Sequence, residues 1–205
     1  MILKSLSTAT ARLALISLIL ATIRGAQGNV ITLDFEGFPD STVLTNQYPG
    51  VTFTNTTVIS AGISLNEFEF PPHSGDNVVF DDGGPISVSF ATPVLSFSGY
   101  FTYLDPLTLA AFDAASTEVA LTTSAFSSND ALFGDPGSSP NEFLQVAFTG
   151  GISSITITGD PAGDSFVMDD ATYTTPGTVP EPASVLVLSS VLGAVVIAAR
   201  RNRSL

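Results

Sequence analysis

From Asn29 to Thr178 apolar and polar residues alternate in short runs, and Gly, Pro, Asn and Asp interrupt them about every ten residues. Ile86, Val88 and Phe90 stand against Ser87 and Ser89, and Leu144, Val146 and Phe148 against Gln145 and Ala147. A period of two puts successive side chains on opposite faces of a strand, so each run has one face for a core. The runs predict strands at Val30–Phe35, Val51–Asn55, Asn77–Phe80, Ile86–Phe90, Val94–Tyr103, Leu107–Asp113, Glu118–Thr123, Phe143–Thr149, Ile152–Thr158 and Ser165–Tyr173. No helical period competes with them. The expected fold is all-β: an antiparallel β-sandwich of jelly-roll type. Asp130–Asn141 and Ala61–Asn77 are expected to be mobile loops, and Asp81–Pro85 and Asp160–Asp164 tight turns.

Charge changes this picture in one way. All six basic residues lie near the ends, at Lys4, Arg12, Arg24, Arg200, Arg201 and Arg203, while the segment from Asn29 to Thr178 holds 18 of the 19 acidic residues. Nucleic-acid binding, which needs Lys and Arg to displace counterions from phosphates, is excluded for this segment. Carboxylates without a protein cation repel one another, so counterions or a divalent metal, above all Ca2+, are expected to stabilise the fold, unless the surface is simply solvated. The chain has no cysteine, so disulfides, thiolate chemistry and Cys-based metal sites are absent.

The ends read as addresses. Lys4 and Arg12 precede the apolar run Leu13–Ile23, with small residues at Ala26 and Gly28, the order of a secretory signal over residues 1–28. The domain is then 29–178, and 179–205 form a carboxy-terminal segment. There Pro180, Glu181 and Pro182 lead into the uncharged stretch Ala183–Ala199, followed by Arg200, Arg201 and Arg203. Seventeen residues at about 1.5 Å each reach about 25 Å, the lower limit for a transmembrane helix. Arginines stay on the cytoplasmic side, which places the acidic domain outside the inner membrane.

This tail resembles the PEP-CTERM sorting signal. The resemblance implies that an exosortase-type membrane enzyme recognises and cuts it, in cells that secrete exopolysaccharide. A plain tail anchor is the alternative. The expected product is an exported, cell-surface or matrix protein.

Two further motifs face each other from the ends of the domain: Asp34-Phe35-Glu36-Gly37 after the first strand and Phe166-Val167-Met168-Asp169-Asp170-Ala171 in the last. The pair is similar to jelly-roll carbohydrate-binding modules. The resemblance implies adjacent terminal strands and a structural calcium, with Glu36 and Asp169 or Asp170 as ligands; Gly37 directly after Glu36 departs from the usual spacing. Alternation puts Asp169 on one face with Val167 and Tyr173, and Asp170 on the other with Phe166 and Met168, so one of them is expected to point inward. The alternative is that both merely flank a strand end.

No catalytic residue is assigned. His73 is the only histidine, in the loop-like Phe70-Pro71-Pro72-His73-Ser74-Gly75, and reads as a surface residue rather than part of a triad. Without Trp, a sugar platform would have to use Tyr48, Tyr100, Tyr103 or Tyr173, and most Phe residues fall on core positions. The expected function is a non-catalytic structural or adhesive role linked to exopolysaccharide or biofilm. Carbohydrate binding is the alternative, and a polysaccharide-active enzyme comes third.

Overall fold

The computed structural model describes residues 28–177. The expected signal peptide, the Pro180–Pro182 motif, the apolar stretch 183–199 and the arginine cluster lie outside the described residues. Gly28–Pro176 is one compact unit with its own core. Among the described residues no helix is long and apolar enough to cross a membrane.

Nine strands form: β1 (Val30–Leu33), β2 (Val51–Thr54), β3 (Thr56–Ser60), β4 (Asn77–Asp81), β5 (Ile86–Tyr103), β6 (Thr108–Phe112), β7 (Glu118–Thr123), β8 (Glu142–Thr158) and β9 (Phe166–Thr174). All pair antiparallel, in the order β3-β4-β9-β5-β8-β6-β7, with β1 beside β9 and β2 beside β5. The all-β antiparallel class expected from the alternation is therefore the one observed, and the terminal strands β1 and β9 are neighbours. Strands along the whole path send side chains into one core that includes Leu33, Phe53, Val79, Phe97, Phe101, Leu109, Ile155 and Tyr173.

Three details depart from the sequence reading. Thr56–Ser60 forms β3, which the alternation missed because four of its five residues are buried and no polar face shows. The predicted breaks at Pro93 and at Gly150-Gly151 do not end strands. They are absorbed as register shifts within two strands of 18 and 17 residues, β5 and β8. Gly151 has φ +97°, and a Cβ there would press on Pro93, so the irregularity needs glycine.

The two loops expected to be mobile are pinned. In the first, the Asn77 side chain donates to the Phe35 and Phe38 carbonyls, and the Ala61 amide bonds to the Asp76 carbonyl. In the second, the fully buried Asn129 donates to the Phe101 and Ser139 carbonyls and accepts from the Tyr103 amide. The two loops also meet: the Ala131 amide reaches the Glu69 carbonyl, and the Asn141 side chain reaches the Pro71 carbonyl. Alternation cannot reveal such anchors, because they join residues far apart in the chain.

Candidate functional site

Strand β9 carries the residues that matter most, and a bulge sets their directions. Ser98 pairs with Thr172 and Tyr100 with Asp169, so Gly99 alone faces Asp170 and Ala171. Asp170 has φ +48°, as the extra residue of a bulge can. The bulge resets the alternation. Phe166 and Met168 before it and Ala171 and Tyr173 after it all face the core, although an unbroken strand would place the two pairs on opposite faces. One of the two aspartates was expected to point inward: Asp169 is buried, at 1 % exposure, beneath the 61–77 loop rather than within the core cluster, and Asp170 is only partly covered.

Glu36, Asp169 and Asp170 all engage that loop. Glu36 accepts the amides of Asp76 (3.0 Å) and Asn77 (2.8 Å). Gly75 makes room for it, since a Cβ at φ +55° would collide with the Glu36 carboxylate. Asp169 accepts the amides of His73 and Ser74, each at 2.8 Å, through one oxygen and its neighbour's amide, at 2.7 Å, through the other. Asp170 takes the His73 ring at 2.7 Å and the Ser74 hydroxyl at 3.1 Å. The carboxylates thus clamp the loop onto the sheet.

The same pattern runs through the domain. Eleven of its eighteen carboxylates accept at least one backbone amide, including Asp34, Asp40, Asp81, Asp113, Asp130, Asp135 and Glu142. Amide dipoles therefore meet much of the charge that the sequence left without a cation. The turn reading of Asp81–Pro85 is half right: Gly83 and Gly84 make the turn, but Asp81 belongs to β4, is fully buried and binds Ser165 and Phe166.

This arrangement bears on the expected calcium. Among the described residues no three His, Asp or Glu side chains come together as a metal-holding group, and both oxygens of Asp169 already serve amide hydrogens. The donor set as it stands does not fit a calcium ion, which would have to displace those amides. Adding calcium at pH 7.5 is expected to move the Tm of residues 28–177 by no more than about 1 °C. A rise of several degrees that disappears in an Asp169→Asn, Asp170→Asn double variant would show that the ion wins the carboxylates.

His73 is the residue that sequence reading undervalued. Its ring is stacked on Tyr100, with centroids 3.4 Å apart and planes 8° from parallel, and Tyr100 in turn lies 5.4 Å from Phe143. Its bond to Asp170 makes the one ion pair among the described residues when the ring is protonated. Ser74 donates to Asp170 and not to the ring, so these three residues are not arranged as a Ser-His-Asp relay. Tyr100 and Phe143 are register partners on β5 and β8, and Phe143 is 51 % exposed. Tyr103, by contrast, is in the core with its hydroxyl on Glu142, and Tyr48 and Tyr173 pack against the core too. The sequence signal for this half-buried ring was its parity: Tyr100 falls out of phase with the core residues Phe97 and Phe101 once Gly99 is placed inward against Met168.

Below these three rings the outer face of β8, β5, β9 and β1 carries small polar side chains. Gln145 pairs with Ser98, Ser98 with Thr172 and Thr172 with Thr32; in the next row Ser96 pairs with Thr174. The Thr32 and Thr172 hydroxyls bond each other at 2.9 Å. These rows carry no charged side chain. The result is an aromatic edge opening onto a strip of hydroxyls and an amide.

No family model matches the chain, and no characterised protein matches its sequence. Solved structures with a similar course of chain include the following three. The K2 cleaved adhesin domain of Lys-gingipain has a TM-score of 0.44 at 18 % identity, covering 72 % of this chain and all of that one. A family 29 carbohydrate-binding module complexed with cellulohexaose has 0.42 at 10 %, covering 74 % of this chain and 94 % of that one. A DUF4465 family protein from Bacteroides caccae has 0.44 at 10 %, covering 71 % and 98 %. At these values nothing about ligand or activity passes from them to this chain.

Proposed function

We propose that residues 28–177 are a non-catalytic binding module of an exported surface protein, and that the outer face of β8, β5, β9 and β1 docks neutral extracellular polysaccharide. The observation that carries this reading is the row His73, Tyr100 and Phe143, with Asp170 bonded to His73, set at the end of hydroxyl-lined rows that carry no charged side chain. A sugar ring offers C–H groups to an aromatic face and hydroxyls at its rim, so such a surface meets both needs. An open sheet face suits an extended polymer better than a small molecule, which binds in an enclosing pocket. Uronate or sulfate polymers would meet an acidic domain and be repelled.

Delivery is part of the same reading. The signal peptide exports the chain, and the tail, with Pro180, Glu181, Pro182 and the arginines, holds it at the inner membrane until an exosortase-type enzyme cuts it. Mass spectrometry of the surface-exposed protein is expected to find a carboxy terminus before Ala183. An intact Arg200–Arg203 cluster would leave a simple anchor instead.

Affinity electrophoresis or calorimetry of residues 28–177 against neutral and acidic polysaccharides tests the binding. Only neutral polymers are expected to bind. Tyr100→Ala and Phe143→Ala should each weaken binding about tenfold, in line with one aromatic contact. Unchanged affinity in both variants would remove this face from consideration, and turnover of the polymer would overturn the non-catalytic reading.

A further inference from the structure

The outer face of β3, β4 and β9 holds a second concavity that shares no residue with the aromatic row. Two adjoining hollows, of about 530 and 210 Å3, meet at Ile59, Ser64 and Phe80. Ile59 and Phe80 line both hollows, and the apolar side chains of Leu65, Phe70 and Val167 line the smaller one. Two carboxylates stand at its rim, Asp82 on the larger hollow and Asp164 on the smaller.

These two are unlike most acidic residues of the domain, because neither accepts a backbone amide. Asp82 takes only the Thr57 hydroxyl, at 2.7 Å. Asp164 accepts no hydrogen bond among the described residues, while its own amide donates to the Asp81 carbonyl at 2.8 Å and so fixes it beside Asp82 in the chain's course. Free anionic oxygens at the mouth of an apolar groove are complementary to a side chain with an apolar stem and a cationic head. Phe80 adds a ring that attracts a cation.

We propose that this cleft docks a basic segment of a partner protein, with a Lys or Arg stem over Ile59 and Phe80 and its head at Asp82 and Asp164. A second copy of the domain cannot supply the head, since residues 28–177 contain no Lys or Arg. The site is independent of the polysaccharide face and needs no metal.

The probe is an acetylated, amidated Leu-Lys-Leu-Lys-Leu peptide, with Leu-Gln-Leu-Gln-Leu as control, titrated into residues 28–177 and followed by calorimetry and backbone amide shifts. The Lys peptide is expected to bind with shifts centred on Ile59 and Phe80, and to weaken when salt is raised about tenfold. Asp82→Asn with Asp164→Asn should cost at least tenfold in affinity. Thr57→Val, which frees Asp82 to move without removing charge, should cost less. Asp105→Asn with Glu118→Gln, which removes the same charge elsewhere, should cost nothing. Equal loss in that control pair would reduce the effect to general attraction by a polyanion and overturn the proposal. So would equal binding of the Gln peptide, shifts centred on Tyr100 and Phe143, or self-association without peptide.

Discussion

Asp81→Ala is expected to lower the stability of residues 28–177 by about 3 kcal/mol, the largest loss from any single carboxylate in the domain. Asp81 is fully buried at the end of β4 and accepts the Ser165 amide (2.8 Å), the Phe166 amide (3.1 Å) and the Ser165 hydroxyl (2.7 Å). Removing it leaves three buried donors, each costing about 1–3 kcal/mol when unsatisfied, less what water entering the gap restores. The same bonds join β4 to the start of β9, so the 160–165 turn loosens with them. Asp81→Asn keeps the oxygen that takes both amides and can turn its N–H2 group to the Ser165 hydroxyl, which accepts as well as donates, so it should cost less. Urea unfolding followed by circular dichroism measures both. A loss below about 1 kcal/mol in Asp81→Ala would mean that the amides find other partners, and that Asp81 is not a strut of the fold.

The second large effect is on pH. Burial pushes the Asp169 carboxyl up to about 6, and the charge of Asp170 acts in the same direction, against the amides of Ser74, Asp170 and His73. The folded value lies above the unfolded value of 3.8, so the folded state binds this proton more tightly. The stability that Asp169 contributes is therefore complete below pH 3.8 and is lost as pH rises through about 6. Asp81, raised by burial, has the same sign. Asp40 has the opposite one: the Ser64 and Ser41 hydroxyls hold its carboxyl low, so its contribution is lost as pH falls.

Stability should therefore peak near pH 4–5 and fall by on the order of 2 kcal/mol by pH 7.5. Thermal unfolding across this range reads the slope. Asp169→Asn should flatten it while lowering stability at pH 5, where the native proton is already bound. A Tm that does not fall between pH 5 and 7.5, or a slope that survives the substitution, would show that Asp169 is better solvated than its burial implies.

The strands were largely legible because alternation is a local property. Ile86, Val88 and Phe90 needed only each other to declare a core face, and all three are buried. Legibility failed where neighbours in space, not in sequence, decided the outcome. β3 shows no alternation because four of its five residues are buried, and the break at Pro93 was overridden by a matching irregularity across the ladder on β8. At the candidate site the sequence brought Glu36, Asp169 and Asp170 together as a set. It did not show the loop that they hold, because an amide donor leaves no mark in the sequence and a carboxylate without a cation looks unsatisfied.

The amino-acid sequence by itself determined the all-β class, the antiparallel pairing of short punctuated strands, and a domain with eighteen carboxylates and neither Lys nor Arg. Tertiary structure alone decided that eleven of those carboxylates bind backbone amides, that a bulge at Asp170 turns both halves of β9 to one core, and that His73 lies flat on Tyr100. The physical reason is range. Periodicity couples residues two apart, whereas His73 and Asp169 are 96 apart and meet only when β9 is laid under the 61–77 loop.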